Sequence, residues 1–378
     1  MNHKVRVLFI TAPIGAGHVR AAQAVSKALQ DFQPGVETAI ANVFDFFPAV
    51  IGKSILKIYL AILDLIPGAY GAMYGWGNKS PLAVTGRELI SKYLARQMRH
   101  YIFQYQPSAV VCTHATPAGL IAHLAKTTDF DIPTFAVITD FVVHRLWVYP
   151  EIGHYFVANE TMRNYLIEHG LDSARISVIG IPIDSAFAVP SFPSILSKLG
   201  LDPERRTVLV MGGGAGVLPM DKIIDICDEL DVSLQLIVVT GNNNKMYDKV
   251  LRRAKDARHP VRVFGFVHNV HELMTVASLL ISKPGGMTSA EALAKGLPLL
   301  IYRPIPGQEE VNTQYLLTQG VAVQANQLQE LKTQLTRLLI DQPAELGVMR
   351  RKAFALGRPL AAYDAARIIT DKISQFMP

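Results

Sequence analysis

Apolar residues along this chain fall into short, nearly unbroken runs, separated by stretches with a period near 3.6. KVRVLFIT, over residues 4–11, is the first run, and Val19 to Phe32 carries helical spacing. VETAIANV, PSAVVCTH, IPTFAVITD, YFVANE and RISVIG read as further strands, with PAGLIAHLAK as an intervening helix. Strands that are apolar on both faces and alternate with helices predict a parallel sheet covered on both sides. The pattern then restarts with RRTVLVMGGGAGV and continues through LQLIVVTGNN, VRVFGFV, ASLLISKPGG and LPLLIYRP. Two such series predict an α/β protein with two Rossmann-like domains, over residues 1–190 and 206–357. The proline-bearing stretch from Val189 to Glu204 marks the joint, placed as a linker over 191–205, and residues 358–378 read as a terminal helix. Phe46 to Val84 departs from the pattern. Ile55, Ile58, Tyr59 and Ile62 share one helical face there, with Lys53 and Lys57 a turn apart. This segment is either a core helix or a mobile apolar flap that meets a lipid surface.

Composition narrows the function classes. Half of the 378 residues are hydrophobic, enough for two cores. The net charge of +6 is spread thinly, with no dense basic block interleaved with aromatics, so a nucleic-acid partner is not expected. An anionic membrane surface remains a compatible partner. Cys112 and Cys227 each lie in apolar runs and read as buried and reduced. No signal peptide is read at the start, and no apolar run reaches the ~20 residues a membrane span needs. The expected localisation is cytoplasmic, peripheral on the cytoplasmic membrane face.

Three glycine-bearing turns carry the candidate chemistry. TAPIGAGHVRAAQAV places Gly15, Gly17 and then His18 between a strand and a helix. The third glycine of a dinucleotide fingerprint is missing, so a dehydrogenase is a weak reading. A histidine at a helix N-terminus is held neutral by the dipole and can accept a proton; a plain helix cap is the alternative. The second turn, with Gly213 and Gly214, has no Lys-Ser/Thr after it and is not a Walker A loop. It either lets a phosphate or sugar approach or is simply tight. The third block, SKPGGMTSAEALAKGLPLLIYRPIPGQEEVNTQYL, is the densest. Its strand is expected to end at Ser282, with Gly285 and Gly286 forming a turn. Thr288 or Ser289 then starts a helix, with Glu291 in the first turn. A carboxylate there suits ribose hydroxyls beside a diphosphate. Gln308, Glu309 and Asn312, after the next strand, suit sugar hydroxyls. Phe266 and Val267 can offer backbone groups to a flat base.

These motifs resemble nucleotide-sugar glycosyltransferases of the GT-B fold, in the glycolipid branch of diacylglycerol glucosyltransferases and monogalactosyldiacylglycerol synthases. GAGH resembles the branch's G-x-G-H turn, and VITDFVVHRLWVYPEIGHYFVANE its middle segment. The block from SKPGG to PGQEEVN resembles its donor-binding motif, with PGQE specific to this branch. The absence of a plastid-type extension points to a bacterial-type enzyme. The resemblance implies two domains facing each other across a cleft, with a C-terminal helix able to return to the first domain. It implies His18 as base or acceptor-positioning group and Asp140 as rival base or orienting group. Gly15, Gly17 and His114 fall on the acceptor side, although a structural role for His114 stays open. His144 and Trp147 match the middle segment with no assigned role.

On the donor side the resemblance implies uracil at the backbone of Phe266 and Val267, and ribose at Glu291. It places the diphosphate at Thr288 and the Gly285–Gly286 turn; Gly213 and Gly214 join the donor-binding candidates from the reading of their own turn. Gln308, Glu309 and Asn312 contact the sugar. The implied reaction is an inverting transfer of a hexose, glucose ahead of galactose, from a UDP-sugar to the hydroxyl of diacylglycerol, adding one sugar or several. The UDP-sugar is a co-substrate, and no cofactor or metal is called for. The acidic stretch DKIIDICDELD has helical spacing and reads as a solvated face, not a metal motif. A polyprenyl-linked or soluble acceptor, or a non-catalytic nucleotide-sugar sensor, are the competing functions.

Overall fold

Alternate residues of β1 (Arg6–Thr11) serve two cores. Leu8 and Ile10 pack on one side, with Val110 and Cys112, while Val7 and Phe9 pack on the other, with Val111 and Phe135. A strand whose side chains are buried in both directions can only be internal to a covered sheet. The computed structural model describes residues 4–12, 16–46, 95–189, 194–213, 216 and 218–376. The Phe46 to Val84 segment lies outside the described residues beyond Phe46.

The chain divides into two units: residues 1–185 with 360–378, and residues 186–359. The first holds β1, β2 (Glu37–Asn42), β3 (Ala109–Cys112), β4 (Thr134–Val137), β5 (His154–Val157) and β6 (Ile176–Val178). Their order is β2-β1-β3-β4-β5-β6, and every described pairing is parallel. One face is covered by helix Ala16–Phe32 together with the last helix, Ala361–Phe376. Ala362, Ala365, Ala366, Ile369 and Ile373 of that helix join the core of Val25 and Leu29, and the Tyr363 hydroxyl donates to Asp31 at 2.9 Å. Small alanines at this face let the two helices approach closely. The terminal helix therefore belongs to the first unit.

The second unit holds β7 (Arg206–Met211), β8 (Leu234–Val239), β9 (Val261–Phe264), β10 (Leu279–Ser282), β11 (Leu299–Tyr302) and β12 (Ala322–Ala325). Their order is β12-β11-β10-β7-β8-β9, again parallel. Of the linker expected over 191–205, the described residues 194–205 fall within this unit. Helix Ser194–Leu199 is followed by a reciprocal clamp: the Asp202 N–H donates to the Gln235 side chain, whose amide donates back to the Asp202 carbonyl. The acidic stretch of helix Met220–Asp228 is also not a solvated face. Asp225 and Asp228 grip Arg253, and Asp221 pairs with Lys249 at 2.8 Å, both basic residues standing on helix Asn244–Lys255. Both cysteines are free and buried, and burial pushes both thiols up. Among the described residues, no helix is long and apolar enough to cross a membrane.

Candidate active site

In each unit the first strand is internal, and later strands are added on both of its sides, so the strand order reverses there. Ligands of doubly wound sheets bind outside the carboxyl ends of the strands at that reversal. In the first unit it lies between β1 and β3. The residues that emerge are the start of helix Ala16–Phe32, with Gly17 second and His18 third, and Thr113 and His114 after β3. Gly15 lies outside the described residues.

His18 Nδ1 stands 2.9 Å from the Thr113 carbonyl oxygen and 2.7 Å from Thr139 Oγ1. A carbonyl only accepts, so Nδ1 carries the ring proton and donates it, and Nε2 keeps its lone pair. Burial lowers the His18 pKa to about 4, against the opposing pull of the Thr113 carbonyl. The imidazole is therefore neutral at pH 7, for a reason stronger than the helix dipole alone. His114 caps helix Ala115–Thr127, its Nδ1 accepting from the Thr116 N–H at 3.1 Å. Its ring meets that of His18 edge to face, with centroids 4.8 Å apart. Burial, with the nearby His18 and His144, lowers the His114 pKa to about 3. His144 is lowered by burial to about 4, and its ring lies 6.4 Å from that of Trp147.

Asp140 is buried, with 9% of its surface exposed. The hydroxyl of Thr139, the residue before it, lies 2.7 Å from His18 Nδ1. Sequence reading passed over Thr139, although it directly precedes the singled-out aspartate. The Thr113 contact uses a main-chain oxygen, which no residue type signals.

In the second unit the reversal falls between β7 and β10. The Ser282 hydroxyl donates to the Met211 carbonyl at 2.8 Å, tying the two strand ends together. Gly213 and Gly285 follow closely on these two tied strand ends. Gly213 is left-handed at φ +71°, and a Cβ added there or at Gly285 would meet nothing within 4 Å. The space over both glycines is open. Gly216 differs: a Cβ there would stand 2.1 Å from the Thr240 carbonyl, so this glycine is required by packing. Gly214 lies outside the described residues.

Helix Gly286–Ala294 starts earlier than its sequence suggests, with Gly285 as a cap that offers no side chain. Its first-turn N–H groups are left without a side-chain partner at the cap, and Thr288 is its third residue. Glu291 consequently sits in the second turn, not the first, and is 1% exposed. A Gly-Gly pair read as a turn because glycine is a poor helix former, but the first turn tolerates it. Phe266, just beyond β9, is 57% exposed, with Val267 half-buried after it.

The PGQE turn is built by its own carboxylates. Glu309 accepts from the Ile305 N–H at 2.7 Å, and Glu310 from the Gly307 N–H, where φ is +103°. Lys283 Nζ lies 3.8 Å from the Glu309 carboxylate. Burial raises the Glu309 pKa, with the Ile305 N–H and Lys283 acting against the rise. Gln308 is exposed at the start of helix Gln308–Thr318. Asn312 is buried and donates to the Pro284 carbonyl at 3.2 Å, linking this helix to the glycine turn. Lys283 went unremarked in the sequence, though a lysine directly after a strand and before Pro-Gly-Gly is a visible signal. Among the described residues, no three His, Cys, Asp or Glu side chains are grouped to hold a metal ion.

Comparison with known proteins agrees with this layout. Residues 18–183 match the family model described as monogalactosyldiacylglycerol (MGDG) synthase, and residues 207–357 match the glycosyltransferase family 28 C-terminal domain. Among solved structures, Acinetobacter baumannii MurG gives a TM-score of 0.67 at 17% identity, covering 97% of this chain and 99% of that one. An S. aureus MnaA–UDP co-structure gives 0.62 at 14% identity, covering 98% and 97%. With the two parallel sheets, these likenesses establish the GT-B fold. The processive diacylglycerol beta-glucosyltransferase of Bacillus subtilis is 29% identical over 90% of this chain and 89% of its own length. That of Bacillus cytotoxicus is 30% identical over 97% of this chain and 94% of its own length. The chain belongs to the processive diacylglycerol beta-glucosyltransferase family.

Proposed function

We propose that this protein transfers a hexose from a UDP-sugar to the hydroxyl of diacylglycerol with inversion at the anomeric carbon, making a membrane glycolipid. Glucose is the expected sugar, since the named relatives are glucosyltransferases, and repeated addition follows the same names. The observation that carries the reading is the state of His18. Its Nδ1 is tied to Thr113 and Thr139, its ring is neutral, and Nε2 is left as a base. The acceptor oxygen attacks the anomeric carbon as the bond to UDP breaks, and the hydroxyl proton passes to His18 Nε2. A base so placed contributes on the order of 10²–10⁴-fold. UDP departs with its charge against the N–H groups at the start of helix Gly286–Ala294 and the open glycines Gly213 and Gly285. Asp140 stands as the rival base. Glu291 is assigned to the ribose, the backbone at Phe266 and Val267 to the base, and Gln308 and Glu309 to the sugar. Asn312 acts on the donor turn through Pro284.

The acceptor is a lipid and the net charge is +6, which supports action at the cytoplasmic face of a membrane with anionic lipid. The test is transfer of labelled UDP-glucose and UDP-galactose to diacylglycerol in vesicles. Glucolipid product from the wild type is expected. His18→Ala should lower transfer by at least about 10²-fold with UDP affinity kept. Wild-type protein that turns over neither donor sinks the reading, and near-normal turnover by the variant removes His18 as base.

A further inference from the structure

His18 and His114 are fixed in opposite senses. His18 donates through Nδ1 to a main-chain carbonyl, so its outer nitrogen, Nε2, accepts. His114 accepts at Nδ1 from the Thr116 N–H, so a neutral ring must carry its proton on Nε2, which donates. Both rings are half-buried, and their centroids lie 4.8 Å apart at an interplanar angle of 88°. Neighbouring rings at this separation are compatible with one oxygen atom at hydrogen-bond distance, about 2.9 Å, from both Nε2 atoms.

Resting on the transferase reading above, we infer that His114 binds the acceptor hydroxyl together with His18: its Nε2–H donates to the oxygen whose proton points at His18 Nε2. The pair then forms a donor beside an acceptor, which matches a group that both donates and accepts. An alcohol meets that requirement. A carboxylate presents only lone pairs and would face the lone pair of His18, while an ammonium has none to offer His114. The oxygen keeps its second lone pair for attack on the anomeric carbon, and the direction of that lone pair is set by the two histidines.

Asparagine and glutamine separate this role from helix capping. The Asn Oδ1 occupies the place of histidine Nδ1 and keeps the cap while removing the outer N–H. The Gln side-chain nitrogen occupies the place of Nε2 and keeps the outer donor while losing the cap. The experiment measures initial rates with diacylglycerol vesicles and UDP-glucose, the KM of each substrate, UDP affinity and melting temperature for wild type, His114→Asn and His114→Gln. His114→Asn should keep its melting temperature and its donor KM, yet lose acceptor kcat/KM by on the order of tenfold or more. His114→Gln should melt earlier and recover most of the acceptor kcat/KM lost in the Asn variant. Wild-type rates in His114→Asn overturn the inference, and so do equal losses in both variants, since those mark the cap as the cause. A wild type that makes no glycolipid overturns the transferase reading itself, and is distinguished by its failure before any substitution.

Discussion

Thr139→Val tests whether the base is tuned through its inner nitrogen. Thr139 is 4% exposed, and its hydroxyl lies 2.7 Å from His18 Nδ1. Valine keeps the shape and removes the oxygen. In the resting enzyme the Nδ1–H retains the Thr113 carbonyl at 2.9 Å, so no buried donor is orphaned. The ground-state loss is one neutral hydrogen bond, about 0.5–1.5 kcal/mol. On the proposed reading His18 becomes imidazolium when it takes the proton, and a bond to a charged donor is worth about 1.5–3 kcal/mol. The difference, about 1–1.5 kcal/mol, appears in the barrier. At 1.36 kcal/mol per tenfold, kcat should fall about 5- to 13-fold. The assay is saturating transfer of labelled UDP-glucose to diacylglycerol, beside a melting curve. Thr139→Ser restores the hydroxyl and should run within about twofold of wild type. Wild-type kcat in the valine variant, with a correctly folded protein, refutes the reasoning.

Three further outcomes follow from particular contacts. His18, His144 and His154 have folded pKa values of about 4, and His114 of about 3, all lowered first by burial. Unfolded histidines titrate near 6.5, so the unfolded chain binds more protons below that pH, and stability drops as pH falls from about 6.5 towards 4. Denaturant midpoints between pH 7.5 and 4.5 should decline steadily; a flat profile contradicts the burial argument. Over the range where the fold holds, kcat/KM should show no acid limb near 6.5, because His18 is still unprotonated there. Gly216→Ala forces a left-handed backbone and places a Cβ 2.1 Å from the Thr240 carbonyl, so stability should fall by at least about 1–3 kcal/mol by urea titration. Glu309→Gln keeps an acceptor for the Ile305 N–H and removes the charge beside Lys283. The donor KM should rise on the order of tenfold with melting almost unchanged; an unaltered donor KM assigns Glu309 to the turn alone.

How much of this was legible depends on whether the signal is local. The strands were readable because runs such as VLFI and AVVC are buried on both faces, which leaves no polar alternation to confuse them. The place of His18 at a strand-to-helix turn was readable because a histidine after glycines stands out against the apolar run before it. The start of helix Gly286–Ala294 was missed because glycine's poor helix propensity suggested a longer turn, and that moved Glu291 into the wrong turn. The acidic face of helix Met220–Asp228 was misread for another reason. Its partners Lys249 and Arg253 are remote in sequence, and only the packing of two helices brings them opposite. Residues 194–205 looked like linker because prolines mark breaks, whereas the Asp202–Gln235 clamp that fixes them is a long-range contact.

On the proposed reading the two units carry opposite kinds of site on one topology, and the chemistry explains the difference. A proton acceptor needs a side chain whose pKa and tautomer are set, and both settings come from contacts around a ring. At the β1–β3 reversal, accordingly, His18 and His114 each have their inner nitrogen committed to a main-chain group. A departing diphosphate needs N–H dipoles at close range and no titratable group that could share its proton. At the β7–β10 reversal, Gly213 and Gly285 present backbone beneath open space, and the cap of the following helix has no side chain to compete for its N–H groups. Substituting a side chain at Gly285, where φ is −63° and nothing lies within 4 Å, therefore costs the fold little. On the proposed transferase reading, the reason for glycine at that position is the departing diphosphate.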